Sequence, residues 1–419
     1  MKKQFWKKTA SGALVAALLL TVNVPTTQQG LQGLLPLGMS VAHAEDAKAA
    51  APDLQIQSPA GLIMDVKTGQ LLWSKDEHGK RYPASVTKIM TMLLTYEAVE
   101  KGEKKLTDVV PISATAYGVE GSSVWLDPKE KWTLQDMLEF IAIPSANDAC
   151  VATAEFIAGS DKAFVERMNK KAAELGMKDT HFADTNGLHD PDHYSSAYDI
   201  ALMARELINK YPQVLDISKI QSKTIRDGKF KLENTNHALG KIEGMDGLKT
   251  GFTDQAGNNL VGTVERNGMR LISVELGAKD DEMRVNDTIK ILDYGFTNFK
   301  PQTVIKKGEA APELAPVISG KDKEIEAVAQ SDLTVSIKNG TPALEKKTVF
   351  KEVTAPITKD TVVGELQAVQ DGKVIATVPL VAKQDVEKGS WIRLMFRGIG
   401  HFFSGLFSSI GSGISGLFN

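Results

Sequence analysis

The spacing of apolar residues changes twice along this chain, and the order of those changes limits the folds open to it. Gly61-Leu62-Ile63-Met64-Asp65-Val66 and Gln70-Leu71-Leu72-Trp73 read as two strands of a hairpin around Lys67-Thr68-Gly69. From Ser85 to about residue 210 the pattern is helical. From Thr224 a period of two returns. Gly247-Leu248-Lys249-Thr250-Gly251 reads as a strand, and Leu260–Glu265 with Met269–Leu276 as a hairpin over Asn267-Gly268, a strong turn signal. Residues 284–299 return to helix. Strands, then helices, then strands and a last helix predict an α/β (α+β) domain, an antiparallel sheet with a helical cluster inserted.

Within the helical block, Thr133 and Asp136 have the spacing of a capping box, and that helix runs to Ile143, where Pro144 interrupts it. A helix resumes near Asn147, and Asp161–Leu175 and Ser196–Asn209 read as two more. The segment after Ser85 is too apolar for a surface helix: Ile89-Met90-Thr91-Met92-Leu93-Leu94-Thr95-Tyr96. Ser85 and Lys88 stand three apart at its start. On a helix, positions i and i+3 share a face, so the amine reaches the hydroxyl. Such a pair is a nucleophile with its own base, and an enzyme is the leading expectation. Helix-start N–H groups favour negative charge and disfavour an ammonium, so the Lys88 pKa is expected to fall.

The two ends are distinctive. Lys2, Lys3, Lys7 and Lys8 precede the apolar run Gly12–Leu20, and Ala42-His43-Ala44 is a small-x-small site. Residues 1–44 are therefore expected to be a cleaved secretory signal, although the apolar patch around Leu31–Leu37 leaves retention as an anchor open. Removing the four lysines takes the formal charge from −3 to −7. An acidic mature chain argues against a nucleic-acid partner. Cys150, the only cysteine, has no disulfide partner in the chain, and its neighbours Ala149 and Val151 predict a buried apolar role. From Trp391, the residues Ile392, Met395, Ile399, Phe402, Phe403, Leu406, Ile410 and Leu417 recur near helical spacing, with Arg393, Arg397 and His401 as basic groups. That is the pattern of an amphipathic helix lying on a membrane surface. The expected division is a signal (1–44), a linker (45–52), a catalytic domain (53–300), a small β domain (301–386) and a C-terminal amphipathic anchor helix (387–419).

Two further motifs accompany Ser85-Val86-Thr87-Lys88. Ser145-Ala146-Asn147 lies at the break between two helices, and Lys249-Thr250-Gly251 lies on a strand, where glycine permits close backbone approach. Ser-x-x-Lys, Ser-x-Asn and Lys-Thr-Gly in this order, roughly 60 and 100 residues apart, form a far more specific signal than any one of them. With Pro83-Ala84-Ser85, Asn186-Gly187-Leu188, His193–Ala197 and Asp246–Thr253, the chain resembles the serine-type D-alanyl-D-alanine carboxypeptidases, low-molecular-mass penicillin-binding proteins of the S11 peptidase type. The resemblance covers nearly the whole chain and implies a β-lactamase/transpeptidase-like catalytic domain.

It also implies roles. Ser85 would be acylated, Lys88 would be its base and Ser145 a proton relay. Asn147 would hold the substrate amide. Lys249 would steer the substrate carboxylate and depress the Lys88 pKa, and Thr250 would bind that carboxylate. Gly251 would permit close approach of substrate, and the N–H groups of Ser85 and Phe252 would form an oxyanion hole. Arg284 would lie near the carboxylate pocket. The implied partners are peptidoglycan stem peptides and, as covalent inhibitors, β-lactams; no cofactor or metal is implied. The enzyme would act on the outer face of the cell membrane.

Three readings compete. A class A β-lactamase needs a glutamate to activate the deacylating water, and Asp184–Tyr194 contains none. A DD-endopeptidase or transpeptidase would keep the same motifs, but the expected absence of a large N-terminal module favours the carboxypeptidase. A non-catalytic wall-bound scaffold would be expected to have lost some of these side chains. Two decoys are set aside. Lys67-Thr68-Gly69 precedes the nucleophile at a turn, and His189-Asp190-Pro191-Asp192-His193, with His181, lacks a completed metal-ligand set.

Overall fold

The computed structural model describes residues 52–341 and 344–390. The expected signal, nearly all of the linker and the amphipathic segment from Trp391 lie outside the described residues. The first domain is built on strands β1 (Ala60–Asp65), β2 (Leu71–Lys75), β3 (Met245–Thr253), β4 (Gly257–Arg266) and β5 (Met269–Ala278). They form one antiparallel sheet in the order β2-β1-β5-β4-β3. The expected hairpin forms at Asn267-Gly268, where both residues have positive φ, 52° and 75°. That geometry matches the right-handed twist of the flanking strands.

The sheet closes by pairing its most distant members. β1 runs beside β5, with Leu62 opposite Val274. Everything from Ser85 to Asn236 is therefore inserted between β2 and β3. The longer helices of this insertion are α1 (Lys88–Glu100), α2 (Leu134–Ala142), α3 (Asn147–Ala158), α4 (Asp161–Glu174) and α5 (Ala197–Lys210). A last helix, α6 (Asp281–Asn298), packs on the opposite face. Alternation along the strands sorts side chains between two cores. Leu62 and Met64 join the helical cluster, whereas Ile63 and Leu271 pack with Ile291 and Leu292 of α6. With both faces covered, β1 is buried at all six positions, which explains its near-continuous apolar run.

Helix starts follow local chemistry. Thr133 and Asp136 form the expected capping box on α2, and Ser160, Ser196 and Asp280 cap α4, α5 and α6 through their side chains. The helical block is less continuous than its pattern predicts. Between α1 and α2 the chain makes two short paired strands, one helical turn (Ala114–Tyr117) and loops. The helix at Val214–Ser218 carries too short a pattern to be read from the sequence.

The second domain is all β, as expected. Ala327–Ala329, Lys373–Ala382, Val362–Gln370 and Glu345–Phe350 make a four-stranded sheet in that order. Its own core includes Val335, Leu366, Val378 and Leu380. Residues 387–390 belong to this domain: Lys388 bridges Gly320 in an extended conformation. Among the described residues no helix is long and apolar enough to cross a membrane.

The domains meet at a buried hydrogen bond. Ser336 donates to Asp65 Oδ2 at 2.6 Å, while Asp65 Oδ1 accepts from the Thr68 N–H and hydroxyl. Ser336→Ala leaves one buried carboxylate oxygen without its donor. It should cost about 1–3 kcal/mol, read as a lower urea midpoint for the whole protein.

Candidate active site

The nucleophile turn is a short 3-10 segment, Ala84–Thr87, that leads into α1. Ala84 has a left-handed φ of 49°, a conformation that costs a residue with a Cβ about 1–2 kcal/mol. Three neighbours hold it there. The Asn259 side-chain amide donates to the carbonyls of Tyr82 and Pro83, at 3.0 Å each. Gly251 on β3 lies so close that an added Cβ would stand 2.7 Å from Pro83 O and 2.9 Å from Ser85 N. Gly187, at φ 87°, leaves still less room: a Cβ would be 1.9 Å from Ala84 O.

Lys88 is fully buried. Its Nζ lies 2.7 Å from each of Ser85 Oγ, Asn147 Oδ1 and the Asn186 carbonyl oxygen. A neutral amine has two N–H donors and one lone pair. As an ammonium, Lys88 donates to all three oxygens; in the neutral form, with the two carbonyl-type oxygens accepting its two N–H groups, its lone pair faces the Ser85 hydroxyl. Burial lowers the Lys88 pKa below the ordinary lysine range, and nearby Cys150, Asp184 and Asp148 oppose that drop. The Cys150 thiol is itself buried and pushed up to about 12, so near neutral pH it carries no charge and only the two carboxylates resist. Cys150 is thus the core residue its neighbours predicted.

Lys249 is also buried, with Nζ donating to the Thr250 carbonyl at 3.1 Å. Burial, then repulsion from Lys88, holds its pKa well below the usual value, with Arg284 adding to the effect. Two buried amines within range of each other favour a single shared positive charge.

Ser145 sits in the four-residue break between α2 and α3, at a left-handed φ of 65°. Its buried Oγ has no hydrogen-bond partner among the described residues, an arrangement that calls for an explanation. Asn147 opens α3. Its Oδ1 meets Lys88, and its Nδ2 donates to the Glu120 carbonyl at 2.7 Å. Both ends of this amide therefore have protein partners, and Asn147 orients the lysine as well as lining the cleft. The neighbouring Asp148 carboxylate accepts from Ser123 Oγ and from the Val124 and Leu126 N–H groups, which fixes the loop that Asn147 touches.

Thr250 Oγ1 lies 2.6 Å from Thr235 Oγ1. Phe252, paired with Asn258 on β4, turns its side chain outward and is 58% exposed. Arg284, on α6, donates to the Asn259 carbonyl at 3.2 Å and pairs with Asp281; it reaches the other site residues through charge and not by contact.

The structure thus brings Ser85, Lys88 and Asn147 into direct contact, with Gly251 against the same turn. Several contributors escaped sequence reasoning. Asn186 acts through its carbonyl oxygen, which no motif of side chains encodes; the Asn186-Gly187 turn was the available signal. Asp184 Oδ1 accepts from the N–H groups of Asn186 and Gly187 and shapes that turn. Asn259 and Thr235 become neighbours of the site only through strand pairing and loop placement.

The decoys have local partners. Thr68 bonds Asp65 in the β1–β2 turn. His193 Nε2 lies 2.8 Å from Thr87 Oγ1, its Nδ1 accepts from the Ala183 N–H, and His181 Nδ1 lies 2.6 Å from the Asp192 carbonyl.

A buried lysine beside a serine at a helix start, set where a five-stranded antiparallel sheet meets a helical cluster, defines a serine acyl-transfer enzyme of transpeptidase-like fold. The S11 peptidase model, D-alanyl-D-alanine carboxypeptidase, matches residues 45–280, and a model of the C-terminal domain of penicillin-binding protein 5 matches residues 299–388. The chain belongs to this family: it is a serine-type D-Ala-D-Ala carboxypeptidase and a penicillin-binding protein. It is 37% identical over 373 residues to D-alanyl-D-alanine carboxypeptidase DacF of Bacillus subtilis, covering 88% of this chain and 95% of that one. Against DacA of Escherichia coli K12 the identity is 34%, covering 87% and 94%. Among solved structures, penicillin-binding protein 5 of Haemophilus influenzae superposes with a TM-score of 0.71 at 33% identity, covering 81% of this chain and all of that one. Penicillin-binding protein D2 of Listeria monocytogenes, solved in an ampicillin-bound form, superposes with a TM-score of 0.54 at 34% identity, covering 58% and 99%.

Gly187→Ala should displace the nucleophile turn, because its Cβ meets backbone that cannot swing aside. A shift of this kind can cost roughly a hundredfold in rate, read as slower D-alanine release from a pentapeptide.

Proposed function

We propose that Ser85 attacks the carbonyl of the penultimate D-alanine in a peptidoglycan stem peptide and that Lys88 takes its proton. The observation that carries this reading is the Lys88 amine, saturated by two carbonyl-type oxygens and 2.7 Å from Ser85 Oγ. The substrate's terminal carboxylate enters beside Lys249 and Thr250. A carboxylate there favours the ammonium form of Lys249, and repulsion from that ammonium drives the proton from Lys88. Arrival of the correct substrate thereby makes the base. Arg284 adds positive charge behind the carboxylate pocket.

The backbone N–H groups of Ser85 and Phe252 hold the tetrahedral oxyanion. The C–N bond then breaks. The proton passes through Ser145, whose unpartnered hydroxyl suits a transient relay, to the amine of the departing D-alanine. Asn147 orients Lys88 and lines the amide side of the cleft, and Gly251 leaves the space that lets β3 lie against Ser85. Water, deprotonated by Lys88, attacks the Ser85 ester, frees the shortened peptide and restores the serine. A β-lactam acylates Ser85 in the same way. The loop Asp184–Tyr194 offers no glutamate to speed its release, so the acyl-enzyme persists.

The termini complete the reading. Residues 1–44 are a cleaved export signal, residues 53–300 the catalytic domain and residues 301–386 the β domain. The amphipathic segment after Ser390 holds the enzyme on the outer face of the membrane.

Ser85→Ala should abolish both D-alanine release and covalent labelling by a fluorescent penicillin. Label retained in that variant would sink the assignment. Acylation of the native enzyme should rise with pH as Lys88 loses its proton, with a midpoint below the ordinary lysine value. Lys88→Arg stays charged across this range and should show no such rise. Removal of residues 391–419 should release active enzyme from membranes; continued sedimentation with them would count against the anchor.

A further inference from the structure

Among the described residues the Thr250 hydroxyl has one hydrogen-bond partner, the hydroxyl of Thr235 at 2.6 Å. Thr235 lies in a loop built to hold it still. The Asn234 side chain donates to the Ser218 and Ile220 carbonyls at 3.0 and 2.8 Å and accepts from the Asn236 N–H at 2.9 Å. The Thr235 N–H itself donates to the Ile143 carbonyl at 3.2 Å, just before the Ser145 break. The loop is thus tied both to the end of the Val214–Ser218 helix and to the hinge between α2 and α3.

A hydroxyl has one proton to give, and a carboxylate can only accept. When Thr250 donates to a carboxylate, it has no proton left for Thr235. The bond between the two threonines must then run the other way, with Thr235 donating and Thr250 accepting. We propose that Thr235 is a specificity-determining positioning residue. By donating to Thr250 it turns the Thr250 proton toward the ligand and selects peptides that end in a free α-carboxylate over those ending in a neutral amide. The inference rests on the placement of the substrate carboxylate at Thr250 proposed above. Thr235 does not touch the reacting atoms; it acts through the hydroxyl that Thr250 presents.

The test compares kcat/KM for a peptide ending in D-alanyl-D-alanine with that for the same peptide ending in D-alanyl-D-alaninamide. Thr235→Val keeps the shape and removes the hydroxyl. It should lower the carboxylate-to-amide preference about tenfold, the worth of one oriented hydrogen bond to a charged group. The loss should fall on KM for the carboxylate peptide and leave the amide peptide unchanged. Thr235→Ser restores the hydroxyl and should restore the preference, which a merely structural role would not predict. If Thr235→Val does not fold, Thr235→Ala against Thr235→Ser carries the same comparison. Thr250→Val separates the two levels. If it lowers the preference while Thr235→Val leaves it intact, the role of Thr235 is wrong. If Thr250→Val itself leaves the preference intact, the carboxylate does not sit at Thr250, and both readings fall.

Discussion

The site depends on one fully buried amine. Lys88 has no access to water, so the protein must supply every partner its Nζ requires. It does so from three separate stretches of chain: the turn at Ser85, the start of α3 at Asn147 and the turn at Asn186. Those three contacts tie together the nucleophile turn, the start of α3 and the Asn186–Gly187 turn within the inserted cluster. They also set the chemistry. Burial favours the uncharged amine, and in that form two carbonyl-type acceptors leave its lone pair for the serine.

Around this amine the fold accepts local strain. Ala84 and Ser145 both hold left-handed backbone conformations, and Ser145 leaves a buried hydroxyl without a partner. Such features persist only where the surroundings over-determine them. Here the surroundings are specific: Asn259 on the Tyr82 and Pro83 carbonyls, Asp184 on the Asn186–Gly187 turn, and Asp148 on the loop beside Asn147. Packing in the two cores stabilises the domain, and these polar anchors give the cleft its shape.

Much of this was legible in the residues themselves. The capping box at Thr133, the interruption at Pro144 and the Asn267-Gly268 turn are local chemistry, and each formed where the sequence placed it. The break at Pro144 mattered most, since it frees Ser145 from helical geometry. Other features were not legible, for identifiable reasons. The pairing of β1 with β5 joins strands about 200 residues apart, and no local signal records a partner at that distance. The helical block is interrupted between α1 and α2 by a largely exposed stretch of short strands, one helical turn and loops. Asn147 looked like a group for substrate alone, yet its amide also meets Lys88 and Glu120.

The reagents are written in the residues: a hydroxyl and an amine one helical turn apart, a second hydroxyl at a helix break, a second amine on a strand with glycine two residues on. Identity and short spacing are written in the chain, and they were enough to specify acyl transfer at a serine. The state of those reagents is set by the folded arrangement around them. Whether Lys88 is a base or an ammonium depends on its burial, on the Asn186 carbonyl and on the charge of Lys249. Each of these is set by segments far apart in sequence, and a desolvation cost exists only once they have closed over the amine.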